Sequence, residues 1–279
     1  MKMTLNLRGQ LVSYTQPIVM GILNVTPDSF YDGGRYCKAD EISRRVDQII
    51  SEGAEIIDIG AYSSRPGAQD VTAEEEWSRL SQGLEIIRKH YPEAIISVDT
   101  FRADVAEKSI VDGGAAIIND ISAGMIDAQM FPTVAKLGVP YILMHMQGTP
   151  QDMQNQPQYN DVTNEVILFL SEKVLKLRQL GVKDIIIDPG FGFGKTIEHN
   201  YTLLRNLDKF KIFNMPLLVG ISRKSMIYKP LNITPQEALN GTTVLNTLAL
   251  ANGASILRVH DVKAAVESIK LIKYYTDAQ

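Results

Sequence analysis

Polar residues close almost every apolar run in this sequence. In chain order they are Asn24, Asp58, Asp99 with Thr100, Asn119 with Asp120, His145, Asp188, Ser222 with Arg223 and Lys224, and Arg258 with His260. A neutral polar group buried among Ile and Val without a partner costs about 1–3 kcal/mol. One such group on nearly every run therefore points to a shared polar pocket. Taken singly, each residue has a plainer use. Asp58, Asp120 and His145 could cap helices or shape turns, Asn24 could set the turn in Asn24-Val25-Thr26-Pro27-Asp28, and Arg258 and His260 could simply ring the last strand. Only the collective pattern favours a site.

Three loops add to it. Residues 24–36 (NVTPDSFYDGGRY) and 60–68 (GAYSSRPGA) have the Gly, Ser and Pro content of loops over a site, although ordinary surface turns share it. Residues 188–196 (DPGFGFGKT) invite comparison with a phosphate-cradling Gly-Lys loop, but Pro189 stands where that pattern needs Gly. The segment instead offers a carboxylate beside aromatic faces, suited to a flat ring with amidine-like donors.

The elements that must position these groups repeat. Eight short runs rich in Ile, Val and Leu lie at 18–24, 54–59, 94–99, 115–121, 139–144, 184–188, 216–221 and 254–259. None shows polar alternation, as expected of strands buried on both faces of a parallel sheet. Helical spacing separates them. Residues 40–52 set Ile42, Val46, Ile49 and Ile50 on one stripe, with Asp40 as the expected N-cap. Residues 73–90 follow Thr72, with Glu75 three positions on, and set Trp77, Leu80, Leu84 and Ile87 on one face. Further helices are expected at 102–112, 127–137, 161–180, 198–209, 235–252 and 261–275, several stopped by Gly. Eight strand–helix repeats predict an α/β fold, a (β/α)8 barrel, with a doubly wound open sheet as the alternative. Residues 4–15 read as a hairpin outside the repeat. The expected organisation is one domain, with residues 1–15 belonging to a barrel of 16–279.

Composition narrows the function classes. A chain of 279 residues, 45% hydrophobic and 22% charged, can bury one large core. A net charge of −4 provides no general attraction to a phosphate backbone or anionic membrane, so no nucleic-acid or membrane partner is expected. Cys37, the single cysteine, excludes an intrachain disulfide and fits a reducing compartment. No signal peptide or membrane span is apparent, and a cytoplasmic location is expected.

Seven blocks in order, GILNVTPDSFYDGG (21–34), SRPG (64–67), SVDT (97–100), IIND (117–120), DPGFGFGK (188–195), GISRKS (220–225) and RVHDV (258–262), resemble the dihydropteroate synthase family. The resemblance implies a barrel, usually a homodimer, that joins 6-hydroxymethyl-7,8-dihydropterin diphosphate to 4-aminobenzoate by an SN1-like transfer in folate biosynthesis. It implies a transferase of an alkyl group other than methyl, and a sulfonamide target. By the same resemblance Asp99, Asn119, Met144, Asp188, Lys224 and Arg258 would bind the pterin. Asn24, Ser64, Arg65, Arg258 and His260 would surround the diphosphate, with Asn24 holding Mg2+ through its amide oxygen. Phe30, Ser64, Pro66, Phe193, Lys224 and Ser225 would receive 4-aminobenzoate, Ser225 standing at a helix start.

One stretch departs from the family. Ala61, Tyr62, Ser63 and Ser64 stand where Gly-Glu-Ser-Thr is usual, so an acidic residue is replaced by Tyr62. Two other readings share the pterin contacts. A methyltransferase acting on methyltetrahydrofolate and a corrinoid protein would have no need of Asn24, Arg65, Arg258 and His260. A silent pterin-binding paralogue would be marked by losses in the first two loops, which here keep their polar residues apart from the Tyr62 change.

Overall fold

The computed structural model describes residues 3–26, 35–62, 71–149, 153 and 157–278. Two short strands, β1 (Met3–Leu7) and β2 (Gln10–Tyr14), pair antiparallel from Met3 opposite Tyr14 to Leu7 opposite Gln10. Eight parallel strands follow: β3 (Ile18–Asn24), β4 (Ile56–Gly60), β5 (Ile95–Asp99), β6 (Ile117–Asp120), β7 (Tyr141–Met144), β8 (Ile185–Asp188), β9 (Leu218–Val219) and β10 (Ile256–Val259). Their order is β8-β7-β6-β5-β4-β3-β10-β9. The ends of that order meet, because Ile187 bridges Leu217 in parallel and its N–H donates to Pro216 O at 2.9 Å. That closure makes a barrel and rules out the open sheet.

The surrounding helices are α1 (Arg35–Ser51), α2 (Ala73–His90), α3 (Ala103–Val111), α4 (Met130–Leu137), α5 (Val162–Gln179), α6 (Ile197–Arg205), α7 (Ser225–Leu231), α8 (Leu239–Ala251) and α9 (Val262–Asp277). Ile42, Val46 and Ile49 of α1 and Leu80, Leu84 and Ile87 of α2 are buried against the outer barrel residues, as their spacing predicts. Thr72 caps α2 by accepting the Glu75 N–H at 3.2 Å, while the Glu75 carboxylate pairs with Arg79.

Several boundaries differ from expectation. Asp40 is not an N-cap, because no helix breaker separates it from Arg35 and α1 starts there. The helix expected at 198–209 ends at Arg205, where Asn206 Nδ2 donates to Thr202 O at 2.9 Å, and a 3-10 helix (Leu207–Phe213) follows. The helix expected at 235–252 is broken after Pro235–Glu237, a single 3-10 turn capped by Thr234 and Glu237. α7 is an element for which no range was expected.

The hairpin lies across the N-terminal mouth. Met3, Leu5 and Leu7 are buried together with Ile18, Met20, Ile56, Ile117, Ile186, Leu218 and Ile256, residues at or near the strand starts. With that end filled by apolar side chains, the polar strand ends gather at the other. No helix among the described residues is long and apolar enough to cross a membrane.

Candidate active site

Register first brings the groups together. Asn24 lies opposite Gly60, Gly60 opposite Asp99, and Asp99 opposite Asn119, so one row of the barrel carries three of the expected site residues. Arg258, from β10 across the barrel, reaches into this row. Its Nε donates to Asp58 Oδ2 at 2.6 Å and its Nη2 to Asp99 Oδ2 at 2.7 Å. Asn119 Nδ2 donates to the same Asp58 oxygen at 3.1 Å. A carboxylate only accepts, so it dictates the amide's orientation and turns Asn119 Oδ1 away, with no hydrogen bond to a described residue.

Burial drives the charges in this cluster, and pairing sets the result. It pushes the Asp99 carboxyl up to about 7, with Arg258 opposing and Asp58 adding to the rise. Burial also works against the Arg258 charge, but Asp58 and Asp99 outweigh it and the guanidinium pKa rises.

A second group faces this one. Asp188, last residue of β8, accepts the Gly190 N–H through Oδ1 at 2.8 Å, and Oδ2 makes no hydrogen bond to a described residue. Burial raises its pKa, opposed chiefly by Lys224. Lys224, just before α7, donates to Phe191 O, and its Nζ sits 4.5 Å from the Phe193 ring centre. Burial lowers the Lys224 pKa to about 8, with Asp188 opposing. Met144 closes β7 in register with Asp188. It joins Phe101, Ile121, Met146 and Met153 in a buried apolar wall against which Tyr62 and Phe193 pack.

Tyr62, the departure noted above, is absorbed by that wall. Its ring meets Phe101 edge to face at 4.9 Å, and the Arg102 guanidinium lies 4.8 Å from the Phe101 ring centre and 5.6 Å from that of Tyr62. Arg102 finds its carboxylate partner in buried Glu76.

His260 follows β10, and its Nδ1 lies 3.1 Å from Ser222 Oγ, which also accepts the His260 N–H at 3.2 Å. Burial beside Arg258 holds the imidazole pKa down at about 4, so it is neutral near pH 7. Arg45 of α1 donates to His260 O at 2.6 Å. The Asn24 amide makes no hydrogen bond to another described residue, and Ser225 opens α7. Phe30, Ser64, Arg65 and Pro66 lie outside the described residues.

The structure thus gathers Asp99, Asn119 and Arg258 into one bonded cluster and places Asp188, Lys224, Met144 and Phe193 in another. Asp58 is where the sequence reading fell short. Its plainer use as a cap or turn residue is wrong, since this fully buried carboxylate anchors both Arg258 and Asn119. Its place inside the Ile-Ile-Asp-Ile run was the available signal. Ser222 behind His260 carried the same signal, as a polar residue closing the run at 216–221. Chemically, acceptors at Asp188 Oδ2 and Asn119 Oδ1 with cations at Lys224 and Arg258 suit a flat heterocycle rich in N–H groups and carrying an anionic substituent.

Comparison with known proteins agrees. The pterin binding enzyme family matches residues 20–260. The dihydropteroate synthase of Escherichia coli K12 is 44% identical over 273 residues, covering 97% of this chain and 96% of that one. The crystal structure of Yersinia pestis dihydropteroate synthase in complex with a sulfonamide drug superposes with a TM-score of 0.91 at 40% identity, covering 99% of this chain and all of that one. That of the Xanthomonas albilineans enzyme with 4-aminobenzoic acid gives 0.92 at 36%, covering both chains fully. With the closed barrel, the register row and the two facing clusters, these matches show that the chain belongs to the pterin-binding enzymes, as a member of the dihydropteroate synthase family.

Proposed function

We propose that the protein condenses 6-hydroxymethyl-7,8-dihydropterin diphosphate with 4-aminobenzoate, giving 7,8-dihydropteroate and diphosphate. The observation that carries this is Asp188 held under the charge of Lys224 and facing the Asp58–Arg258–Asp99–Asn119 cluster. Asp188 Oδ2 accepts from the pterin amine and ring N–H, Asn119 Oδ1 and Asp99 complete its polar edge, and Arg258 lies against the ring. Met144 supports that ring from β7. Phe193, Lys224 and Ser225 receive 4-aminobenzoate, together with Phe30, Ser64 and Pro66.

The bond from the pterin methylene to the diphosphate oxygen breaks first, and the electron-rich dihydropterin spreads the positive charge left on carbon. The arylamine nitrogen then bonds to that carbon and loses a proton. Arg258, His260, Arg65 and Ser64 surround the departing diphosphate, so the chain's part is positioning and charge stabilisation and needs no covalent nucleophile. Asn24 is suited to Mg2+. It offers one amide oxygen free of other described partners, and magnesium takes few protein ligands, filling its shell with water and phosphate oxygens. The ion would neutralise charge on the diphosphate. The lone Cys37 supports a cytoplasmic location.

The assay is diphosphate release by the purified protein with the pterin diphosphate, Mg2+ and 4-aminobenzoate, following dihydropteroate by chromatography. Product requiring both substrates supports the reading; pterin binding without product leaves the silent paralogue. Asp58→Ala frees both Arg258 and Asn119, and an increase in KM for the pterin diphosphate of about tenfold or more is expected, with KM for 4-aminobenzoate changing less.

We also propose a homodimer. Leu239, Val244 and Leu248 of α8 and Leu271, Tyr274 and Tyr275 of the adjoining α9 are exposed, an apolar surface of the kind that marks a protein interface. Light scattering at micromolar concentration should give twice the chain mass. Val244→Glu with Leu248→Glu should give the single mass while leaving the circular dichroism spectrum unchanged.

A further inference from the structure

Lys195 is almost wholly buried, yet among the described residues no carboxylate bonds to it. Its Nζ lies 2.9 Å from Gly190 O, 3.0 Å from Phe193 O and 2.9 Å from His145 Nδ1, with His145 O more distant at 3.4 Å. Burial lowers the Lys195 pKa well below its ordinary value, with Asp188 opposing; as an ammonium it has three N–H groups, and three close acceptors meet them. His145 Nδ1 must then accept, which puts the imidazole proton on Nε2.

The partners belong to two segments. Gly190 and Phe193 lie on the loop that follows Asp188 at the end of β8 and carries Phe191, and His145 follows β7. Gly190 and Gly194, both at positive φ, let the two backbones touch: a Cβ on Gly190 would stand 1.8 Å from His145 O, and one on Gly194 2.4 Å from Gln147 O. Tyr159 Oη adds a bond to Gly194 O at 2.8 Å. Resting on the pterin reading above, we propose that Lys195 is a positioning residue, whose ammonium latches the 189–194 loop onto His145 and so fixes the pose in which Asp188 and Phe193 meet the substrates.

The latch also carries charge. Asp188 is faced by Lys224 before α7, by Arg258 on β10 and by Lys195 from behind, and each favours its ionised form. A neutral residue at position 195 therefore loosens the loop and makes Asp188 easier to protonate. A neutral residue in place of His145 only loosens the loop, because burial and Lys195 keep that imidazole uncharged.

Three variants separate these effects: Lys195→Met, His145→Leu, and His145→Gln, whose amide oxygen can still accept from the ammonium. The readout is the affinity for 6-hydroxymethylpterin by calorimetry between pH 5 and 9, with folding checked by circular dichroism. Weakening of at least about tenfold is expected for Lys195→Met and about fivefold for His145→Leu, with His145→Gln within about twofold of wild type. On acidification, Lys195→Met should lose affinity at a higher pH than wild type, whereas His145→Leu should follow the wild-type limb. Wild-type affinity in folded Lys195→Met or His145→Leu, or an unshifted acid limb in Lys195→Met, overturns the proposal. Should Lys195→Met fail to fold, the two His145 variants decide it by affinity: equal binding by both sinks it. A wild-type chain that does not bind the pterin refutes instead the reading of the site on which the latch rests.

Discussion

Asp188→Asn is expected to lower kcat/KM for the pterin diphosphate by about a hundredfold or more while the protein stays folded. In the proposed complex the carboxylate accepts two N–H groups from the pterin. Hydrogen bonds to a charged group contribute roughly 1.5–3 kcal/mol each. With its oxygen held by the Gly190 N–H, the asparagine sets an NH2 at the Oδ2 position against the pterin donors, so it loses their bonds and adds a repulsion. A loss of about 2.7 kcal/mol is a factor of about 100. Asp188 also supports the buried Lys224 and Lys195 charges, while the asparagine keeps the Gly190 N–H bond through its oxygen and so retains the anchor of the loop. Steady-state rates at varied pterin diphosphate, with a thermal melt as control, check this. Activity within threefold of wild type would remove Asp188 from recognition.

Arg258→Met should produce the largest combined loss, in turnover and in stability. The guanidinium separates Asp58 from Asp99, and its removal leaves two carboxylates facing each other without the shared cation. Breaking a buried ion pair by deleting one partner costs about 3–5 kcal/mol. At roughly 2–4 °C per kcal/mol for chains of this size, Tm should fall by about 6 °C or more. The pH dependence has a definite sign. Asp99 is held at about 7 against an ordinary 3.8, so between those values the folded chain keeps a proton that the unfolded chain releases. Its contribution is fully present below about pH 4 and is lost as pH rises toward 7. Without Arg258 the carboxyl rises further, so the deficit in Tm should widen with increasing pH and narrow on acidification. A constant deficit from pH 5 to 9 would show that the guanidinium does not hold these charges apart. Turnover should fall at least about tenfold, since the same group is proposed to stabilise the departing diphosphate.

Much of this site was legible in the residues. Runs of Ile and Val without polar alternation identify strands covered on both faces, and polar residues at their ends identify the mouth where a ligand can sit. That reasoning put Asp58, Asp99, Asn119, Asp188, Lys224 and Arg258 among the strand-end polar residues without coordinates, and the family resemblance singled out all of these but Asp58 for the pterin. It also predicted eight strands and the Thr72 cap that begins α2, because both depend on neighbours a few positions apart. It failed where a local signal had competitors: Asp40 looked like a cap but lies within α1, and nothing announced the break after Arg205.

Tertiary structure alone decided how the polar residues are used. Asp58 and Arg258 are 200 positions apart and Asp99 and Arg258 159 apart, and no spacing rule reaches so far. The pairing of β10 with β3 brings Arg258 to β4 and β5, and closure of β8 against β9 brings Asp188 toward Lys224. Only then does Asp58 acquire two donors, Asn119 a defined amide orientation and Lys195 three acceptors. Sequence determines which groups are available and on which strand ends, since that follows from local periodicity and the cost of burying them. Their partners, and with them charge state and orientation, follow from which segments the closed barrel packs against one another.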